Sequence, residues 1–265
     1  PFMSQQWGMS QANNIDIDAP EAWSISTGSS STVVAVIDTG VDYNHPDLAA
    51  NIWTNPNEIP GNGIDDDGDG YIDDVHGINA INGSGDPMDD IGHGTHCAGT
   101  IGARSNNGVG ITGINWNVKI MPVKFLGSNG GTSMDAVEAI QYVTNMKRHG
   151  VNIVLSNNSW GGTGFDQFIY NAVQDANNAN ILFVASAGNS GLNIDVSPFY
   201  PANYALSNVI SVAAVDNQGN MPSWSNYAPN SVAIAAPGVS IISTYLSSAG
   251  SYYNMSGTSM AAPHV

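Results

Sequence analysis

The chain has 265 residues, of which 42% are hydrophobic, so it is long enough to form one large domain with a full core. It carries 22 Asp and Glu against 5 Lys and Arg, and the net charge of −17 disfavours nucleic acid and anionic membranes as partners. No apolar run reaches the length of about 18 residues that a membrane helix needs, and a single cysteine forms no internal disulfide.

Six apolar, β-branched runs alternate with helical patterns, as is typical of strands buried on both faces of a parallel sheet. The runs are 32–37, 118–126, 152–155, 181–185, 209–215 and 232–235. Residues 133–149 have the spacing of an amphipathic helix that ends at Gly150, and residues 165–179 have a similar pattern. The core-facing positions of the first helix are Met134, Val137, Ile140 and Val143. The predicted fold is α/β, with a doubly wound, mostly parallel central sheet and helices on both faces.

Three short segments carry an acid, a base and a nucleophile in that order along the chain. They are Val36–Gly40 with Asp38, Gly92–Gly99 with His93, and Gly257–Pro263 with Ser259. A serine hydroxyl becomes a strong nucleophile when an imidazole takes its proton and a buried carboxylate orients that imidazole. Asp38 follows a predicted strand, at the sheet edge where ligands of such folds bind. The pattern therefore predicts a serine hydrolase site.

These segments, together with Ala185–Asn189, resemble the subtilisin-like serine proteases, in which the order is Asp, His, Ser. The resemblance implies a subtilisin-like fold and an acyl-enzyme formed on Ser259. It also implies that the side-chain amide of Asn189 and the backbone N–H of Ser259 bind the developing oxyanion.

The resemblance further implies where a peptide substrate lies. Some residues are expected to bind it as strand edges, and others as walls of the pocket for P1, the residue before the scissile bond. These residues are Gly130, Gly131, Ser159, Trp160, Gly161, Ser186, Ala187 and Gly188. Small residues in the walls leave room for a large side chain, so we expect broad specificity with a preference for large apolar or aromatic P1 residues. The alternative is that these glycines only form turns.

Residues 62–74 place carboxylates at alternate positions before a glycine turn, as in the first half of a calcium-binding loop. The expected calcium ligands are Asp65, Asp67, Asp69 and the carbonyl of Tyr71, completed by Asp73 or Asp74 because His76 stands where a glutamate is usual. The alternative is a solvated acidic loop without metal.

A second calcium site is implied by the resemblance alone. It would use Asp47 and the turn at residues 105–110. The match is incomplete, because Met3 stands at the position counted for the N-terminal side-chain ligand.

Cys97 follows closely after His93 on the predicted helix. A small buried hydrophobic residue is the ordinary interpretation of such a cysteine. In the resemblance, Cys97 marks the thiol-containing branch of the family, in which a mercurial that reaches the thiol disturbs the catalytic histidine.

The resemblance also bears on the extent and location of the protein. Residues 1–265 are expected to form a single peptidase catalytic domain that apparently lacks its C-terminal closing segment, since relatives continue well past the serine. A companion fragment is a possible partner for the same reason. Relatives are made with a leader and an inhibitory propeptide, so we expect secretion, and a propeptide or proteinaceous inhibitor as a partner.

Two functions remain open from the sequence. The first is a secreted serine endopeptidase acting on proteins and peptides; the second is a catalytically silent, calcium-dependent binding or adhesion module on the same scaffold. An esterase of the α/β-hydrolase class is disfavoured, because Ser259 lies in Gly-Thr-Ser-Met-Ala and not in a Gly-x-Ser-x-Gly elbow.

Overall fold

A seven-stranded sheet forms the centre of the computed structural model, which describes residues 1–249 and 251–265. All neighbouring strands run parallel, in the order β2-β3-β1-β4-β5-β6-β7. The strands are β1 Val33–Asp38, β2 Ile78–Asn79, β3 Lys119–Lys124, β4 Ile153–Asn158, β5 Leu182–Ser186, β6 Val209–Val215 and β7 Ile234–Pro237. The six predicted runs are all confirmed as strands, whereas the two-residue β2 escaped prediction because it has no apolar run of its own.

The two faces of β1 enter two different hydrophobic cores. Val33, Ala35 and Ile37 pack in the core beneath the helices that follow β3 and β4. Val34 and Val36 pack in a second core on the opposite face. Because both faces are covered, the strand is apolar along its whole length, and the predicted doubly wound arrangement is confirmed.

Helices cover both faces of the sheet. They are α1 Ala19–Trp23, α2 His93–Gly102, α3 Ser133–Arg148, α4 Gln167–Asn178 and α5 Thr258–Ala261. Thr132 and Asp135 form a capping box at the start of α3, and Gly150 lies just past its end. Met134 was expected in the core but is 62% exposed, since the buried stripe of α3 begins only at Ala136. None of the described helices is both long and apolar enough to cross a membrane.

A small antiparallel hairpin holds the helix that carries His93. Its strands are β8 Ile241–Thr244 and β9 Tyr252–Met255. The hydroxyls of Ser243 and Thr244 donate to backbone carbonyls in the first turns of α2, at 2.7 Å each. The hairpin was not predicted, because each of its strands has only four residues, too few to show a period. It fixes α2 against the edge of the sheet where β1 ends.

Candidate active site

The carboxylate of Asp38 and the imidazole of His93 form a partly buried hydrogen bond. Asp38 is the last residue of β1 and is fully buried, while His93 is the first residue of α2. Nδ1 of His93 lies 2.7 Å from Oδ1 of Asp38, and the same oxygen accepts the backbone N–H of Thr39 at 2.7 Å. The contact fixes the imidazole so that Nε2 carries no proton when the ring is neutral.

Two features hold the start of α2 beside the end of β1: hydrogen bonds to Asp89 and the close approach of Gly94 to Gly40. The carboxylate of Asp89 accepts the backbone N–H of Gly92 at 2.9 Å, and the N–H and hydroxyl of Thr95 at 3.0 and 2.6 Å. It thereby satisfies donors that the first turn of α2 leaves free. A Cβ on Gly94 would overlap the carbonyl of Gly40, so only glycine lets the helix approach the end of β1 this closely.

The environment of His93 favours its protonated form. Burial by itself lowers the pKa of His93, but the charge of Asp38 and the hydrogen bond to it outweigh burial and raise the pKa above 6.5. A basic imidazole is what a general base near neutral pH requires.

Ser259 lies in the first turn of α5, beside α2. Its hydroxyl donates to the carbonyl of Ser159 at 3.1 Å, and its own carbonyl accepts the Ser159 hydroxyl at 2.9 Å and the Cys97 thiol at 3.4 Å. No hydrogen bond joins it to His93 within residues 1–249 and 251–265. The hydroxyl must therefore leave Ser159 before it passes its proton to an imidazole, a loose arrangement that is common in sites without substrate.

The Asn189 side chain is oriented by Thr258, a residue whose role the sequence analysis missed. Oδ1 of Asn189 accepts the backbone N–H and the hydroxyl of Thr258 at 2.9 and 3.0 Å, and its amide nitrogen donates to no group of the described residues. A Cβ placed on Gly257 would lie 3.5 Å from that nitrogen and 3.6 Å from the backbone nitrogen of Ser259. Because Gly257 has no side chain, a space that an oxygen atom can enter remains beside these two N–H donors. We call this space the cradle at Gly257.

The predicted walls of the P1 pocket both lie against the ring of Phe199. A Cβ on Gly161 would overlap Cε1 of this ring, and a Cβ on Gly188 would lie 3.0 Å from Cδ1 and Cε1. Small wall residues were expected to leave room for a large side chain. That expectation stays a prediction, and the fold adds a neighbour to it, because Phe199 lies far from both walls in the sequence but is brought against them.

A cavity of about 360 Å³ lies alongside these walls. Of the predicted substrate-binding residues its lining includes Gly131, Trp160 and Gly161, and the aromatic residues Phe165, Tyr200 and Tyr204 also belong to it. Gly130 lies outside this lining, in a turn closed by its backbone pairing with Gly127. Ser186 and Ala187 are buried at the end of β5.

The acidic loop, residues 55–74, brings its carboxylates together in two groups. In one group, oxygen atoms of Asp65, Asp67 and Asp69 lie within 4.8 Å of one another. The second group joins Asp67 to Asp74 and to Glu58, which the sequence analysis did not single out. Glu58 is buried although its sequence context, an exposed-looking loop, gave no signal of this.

Two buried oxygen atoms of the acidic loop have no hydrogen-bond partner in the described chain: Oε2 of Glu58 and Oδ2 of Asp69. Burial and neighbouring carboxylates raise the pKa of Asp69 to about 6 and that of Asp74 to about 7. Without a positive charge this arrangement is costly, whereas a hard cation held by either group would take carboxylate oxygens as ligands. The donor set fits Ca²⁺.

The remaining predicted calcium ligands are placed differently. The carboxylate of Asp73 accepts backbone N–H groups of residues 61–63, at distances of 2.7–3.2 Å, and so closes a turn of the loop. The hydroxyl of Tyr142 holds Asp74 at 2.5 Å, and the N–H of Tyr71 donates to Asp69 at 2.9 Å. Asp47 is buried and accepts hydrogen bonds from Asn107, Ile111 and Tyr252.

The parallel sheet, the Asp38–His93 pair at its carboxyl edge and Ser259 on the adjoining helix define the class: a doubly wound α/β protein with the subtilisin-type order of Asp, His and Ser. The sequence model of the subtilase family matches residues 29–265, and the chain belongs to that family.

Known relatives agree with this assignment. Subtilisin-like protease 1 of Plasmodium berghei is 37% identical over 284 aligned positions, which cover 100% of this chain and 46% of that protein. Thermitase of Thermoactinomyces vulgaris is 37% identical over 100% of this chain and 80% of its own. A solved structure described as an S41 psychrophilic protease is 31% identical and superposes with a TM-score of 0.70 over 90% of this chain and 76% of its own. The chain spans less than half the length of the first Plasmodium relatives.

Proposed function

We propose that this chain catalyses peptide-bond hydrolysis as a serine endopeptidase. The observation that carries the proposal is the 2.7 Å hydrogen bond between the buried Asp38 and His93 at the sheet edge beside Ser259. In the first step Nε2 of His93 takes the Ser259 proton while Oγ bonds to the substrate carbonyl carbon. His93 then gives that proton to the leaving amine as the C–N bond breaks, which leaves an acyl-enzyme that water hydrolyses by the same steps.

The charge that develops on the carbonyl oxygen would be received in the cradle at Gly257. The donors are the Asn189 side-chain amide and the Ser259 backbone N–H, and one such donor contributes about 3–4 kcal/mol to stabilising the transition state. Thr258 acts as a positioning residue, because it holds Asn189 Oδ1 and also accepts the backbone N–H of Gly188 at 3.0 Å.

A peptide substrate would bind in an extended conformation, as an added strand between two segments. These are the turn at Gly130–Gly131 and the segment Ser159–Gly161 that continues from β4. Backbone hydrogen bonds to such edges are independent of side chains, which supports the expected broad specificity. A large apolar or aromatic preference at P1 was expected from the small wall residues, and the ring of Phe199 against both walls bears on it.

We propose Ca²⁺ as a structural cofactor of the acidic loop. Asp65, Asp67 and Asp69 would supply ligands with the Tyr71 carbonyl, and Glu58 and Asp74 extend the set. When bound, the ion neutralises carboxylates that otherwise repel one another. Asp73 would act by shaping the loop. A second ion at Asp47 is supported less well, since protein donors already bond to both of its carboxylate oxygens.

Secretion is part of the same proposal. A calcium-dependent acidic loop suits an extracellular medium, where calcium is abundant enough to saturate weak sites. A relative from Xanthomonas campestris that is named an extracellular protease is 36% identical over 99% of this chain. Protein and peptide substrates, and a propeptide or proteinaceous inhibitor that occupies the cleft, are the partners this function requires.

The test is incubation of the purified protein with an unfolded protein substrate in ¹⁸O-labelled water with calcium. We expect fragments whose new C-termini carry the label, and none with the Ser259→Ala variant. The competing function, a silent calcium-dependent binding module, predicts that the substrate is retained intact by the wild type and by Ser259→Ala alike. That outcome would refute the endopeptidase.

A further inference from the structure

The ring of Phe199 lies between two segments that are otherwise arranged as the walls of a pocket. One edge of the ring, formed by Cδ1, Cε1 and Cζ, spans from Gly161 to Gly188. Both contacts are made to glycines, where no side chain separates the ring from the backbone. Cε1 is near the place that a Cβ would take on either glycine, so this edge of the ring lies against both walls.

Both walls are held in place by hydrogen bonds. On one side, Gly162 and Tyr200 exchange backbone hydrogen bonds of 2.8 and 2.7 Å, which ties the segment containing Phe199 to the Gly161 wall. On the other side, Asn226 donates from its side chain to the Ala187 carbonyl at 2.8 Å and from its backbone to the Gly188 carbonyl at 2.9 Å. These hydrogen bonds hold both walls at their present positions beside the ring.

The backbone of Phe199 is equally constrained. Its N–H donates to Oδ1 of Asn203 at 3.3 Å, and its carbonyl accepts the Asn203 N–H at 2.9 Å. The ring itself is half-buried and packs on the core beneath β4 and β5. Rotation of the ring out of the space would break this packing and expose apolar surface to water.

We propose that Phe199 closes the P1 pocket from within, so that the protein cleaves after residues with small side chains, namely glycine, alanine and serine. This inference rests on the proposed function, since it identifies the substrate class of the same site. A glycine or alanine side chain fits between the walls above the ring. An aromatic P1 side chain needs the volume that the ring already fills, and close-packed protein interiors do not hold both.

The test compares two peptide amide substrates that differ only in P1, alanine or phenylalanine. Enzyme concentration is set by titrating Ser259 with a sulfonyl fluoride, so that kcat/KM refers to competent sites. For the wild type we expect kcat/KM for alanine to exceed that for phenylalanine by about tenfold or more, in the range that a filled or emptied pocket produces. For Phe199→Gly we expect the preference to reverse.

A further variant makes the comparison specific. Phe199→Leu keeps bulk between the walls and should retain the preference for alanine. A shift in the ratio that follows only Phe199→Gly supports the proposal.

A wild type that prefers phenylalanine at P1 overturns the proposal, and so does a Phe199→Gly variant that titrates fully with an unchanged ratio. If Phe199→Gly does not fold, the wild-type and Phe199→Leu ratios decide. If the sulfonyl fluoride finds no reactive serine in the folded wild type, the proposed function itself fails and this inference fails with it. The titration thus distinguishes the two failures.

Discussion

We call the sheet edge where Asp38 and His93 meet the catalytic edge. It and the acidic loop are both rich in carboxylates, but the negative charge of these carboxylates is balanced in different ways. At the catalytic edge Asp38 is paired with His93, and Asp90 is paired with Lys124 at 2.7 Å. The acidic loop, residues 55–74, contains seven Asp and Glu residues and no Lys or Arg. None of the ion pairs found in the described chain reaches that loop.

The difference separates a site built by the chain alone from one that is completed by an ion. Asp38 and His93 are placed by a strand end and a helix start, which belong to the core of the fold. The loop relies on hydrogen bonds from backbone N–H groups, Asn55 and Tyr142, and these leave oxygens of Glu58 and Asp69 unsatisfied. Removing calcium should therefore affect stability first and the chemistry of the triad only indirectly.

The largest expected effect is on the catalytic edge. His93→Ala should lower kcat by about 10⁶-fold, the size of effect known for subtilisin, and Asp38→Asn by about 10⁴-fold. Initial rates on a peptide amide, with enzyme concentration from absorbance, measure this. Melting temperatures in saturating calcium serve as the control. A residual rate within tenfold of the wild type for His93→Ala would contradict the assignment of the base.

A smaller loss is expected from the oxyanion donor. Asn189→Asp keeps the acceptor oxygen that Thr258 uses but replaces the amide donor with a carboxylate oxygen. We expect kcat to fall by about 10²–10³-fold with KM nearly unchanged, because the interaction exists only in the transition state. A change confined to KM would place Asn189 in substrate binding instead.

The acidic loop should respond to chelation through stability. An ion at about 100 times its Kd adds about 2.7 kcal/mol to the free energy of unfolding, which corresponds to about 5–10 °C in Tm for a chain of this size. Thermal melts in calcium and in chelator measure the shift. Asp69→Asn should reduce it, because the amide removes a ligand charge and also relieves the burial of a charge, and its repulsion by nearby carboxylates, that together raise the Asp69 pKa.

The matched control is Asp175→Asn, which removes a surface carboxylate paired with Arg148 at 2.6 Å. It should leave the calcium-dependent shift in Tm unchanged. Equal shifts in the wild type and in Asp69→Asn would show that the acidic loop binds no structural ion.

The pH profile tests how Asp38 tunes His93. The base must be neutral, and Asp38 raises the pKa of His93, so kcat/KM should fall as pH decreases through a midpoint above 6.5. Asp38→Asn removes the charge that favours the imidazolium, so its midpoint should move to lower pH. A midpoint that does not move would mean that another group controls the acidic limb.

The smallest effect on turnover is expected at Cys97. The side chain is fully buried, and this burial raises the pKa of its thiol. The thiol donates a hydrogen bond to the carbonyl of Ser259. Cys97→Ala should change kcat by about threefold or less, as for a small buried side chain without a chemical role. A mercurial should inactivate the wild type slowly, since reaction needs local opening. Equal inactivation of Cys97→Ala would place the reaction elsewhere.

The sequence predicted those features whose cause is local. The six apolar runs became strands because both sheet faces are buried, and Asp38 and His93 lie in short motifs next to a strand end and a helix start. Features that depend on distant contacts could not be predicted. Phe199 meets Gly161 and Gly188 only through the fold, and Glu58 is buried by neighbours that a linear pattern does not identify.

The most direct test of the account is peptide mapping by mass spectrometry after treatment with a sulfonyl fluoride in calcium. The account predicts one adduct, on Ser259, that is lost in His93→Ala, because only an activated serine reacts. A folded sample that gains no adduct, or gains it equally without His93, would contradict the assignment of Ser259 as the nucleophile.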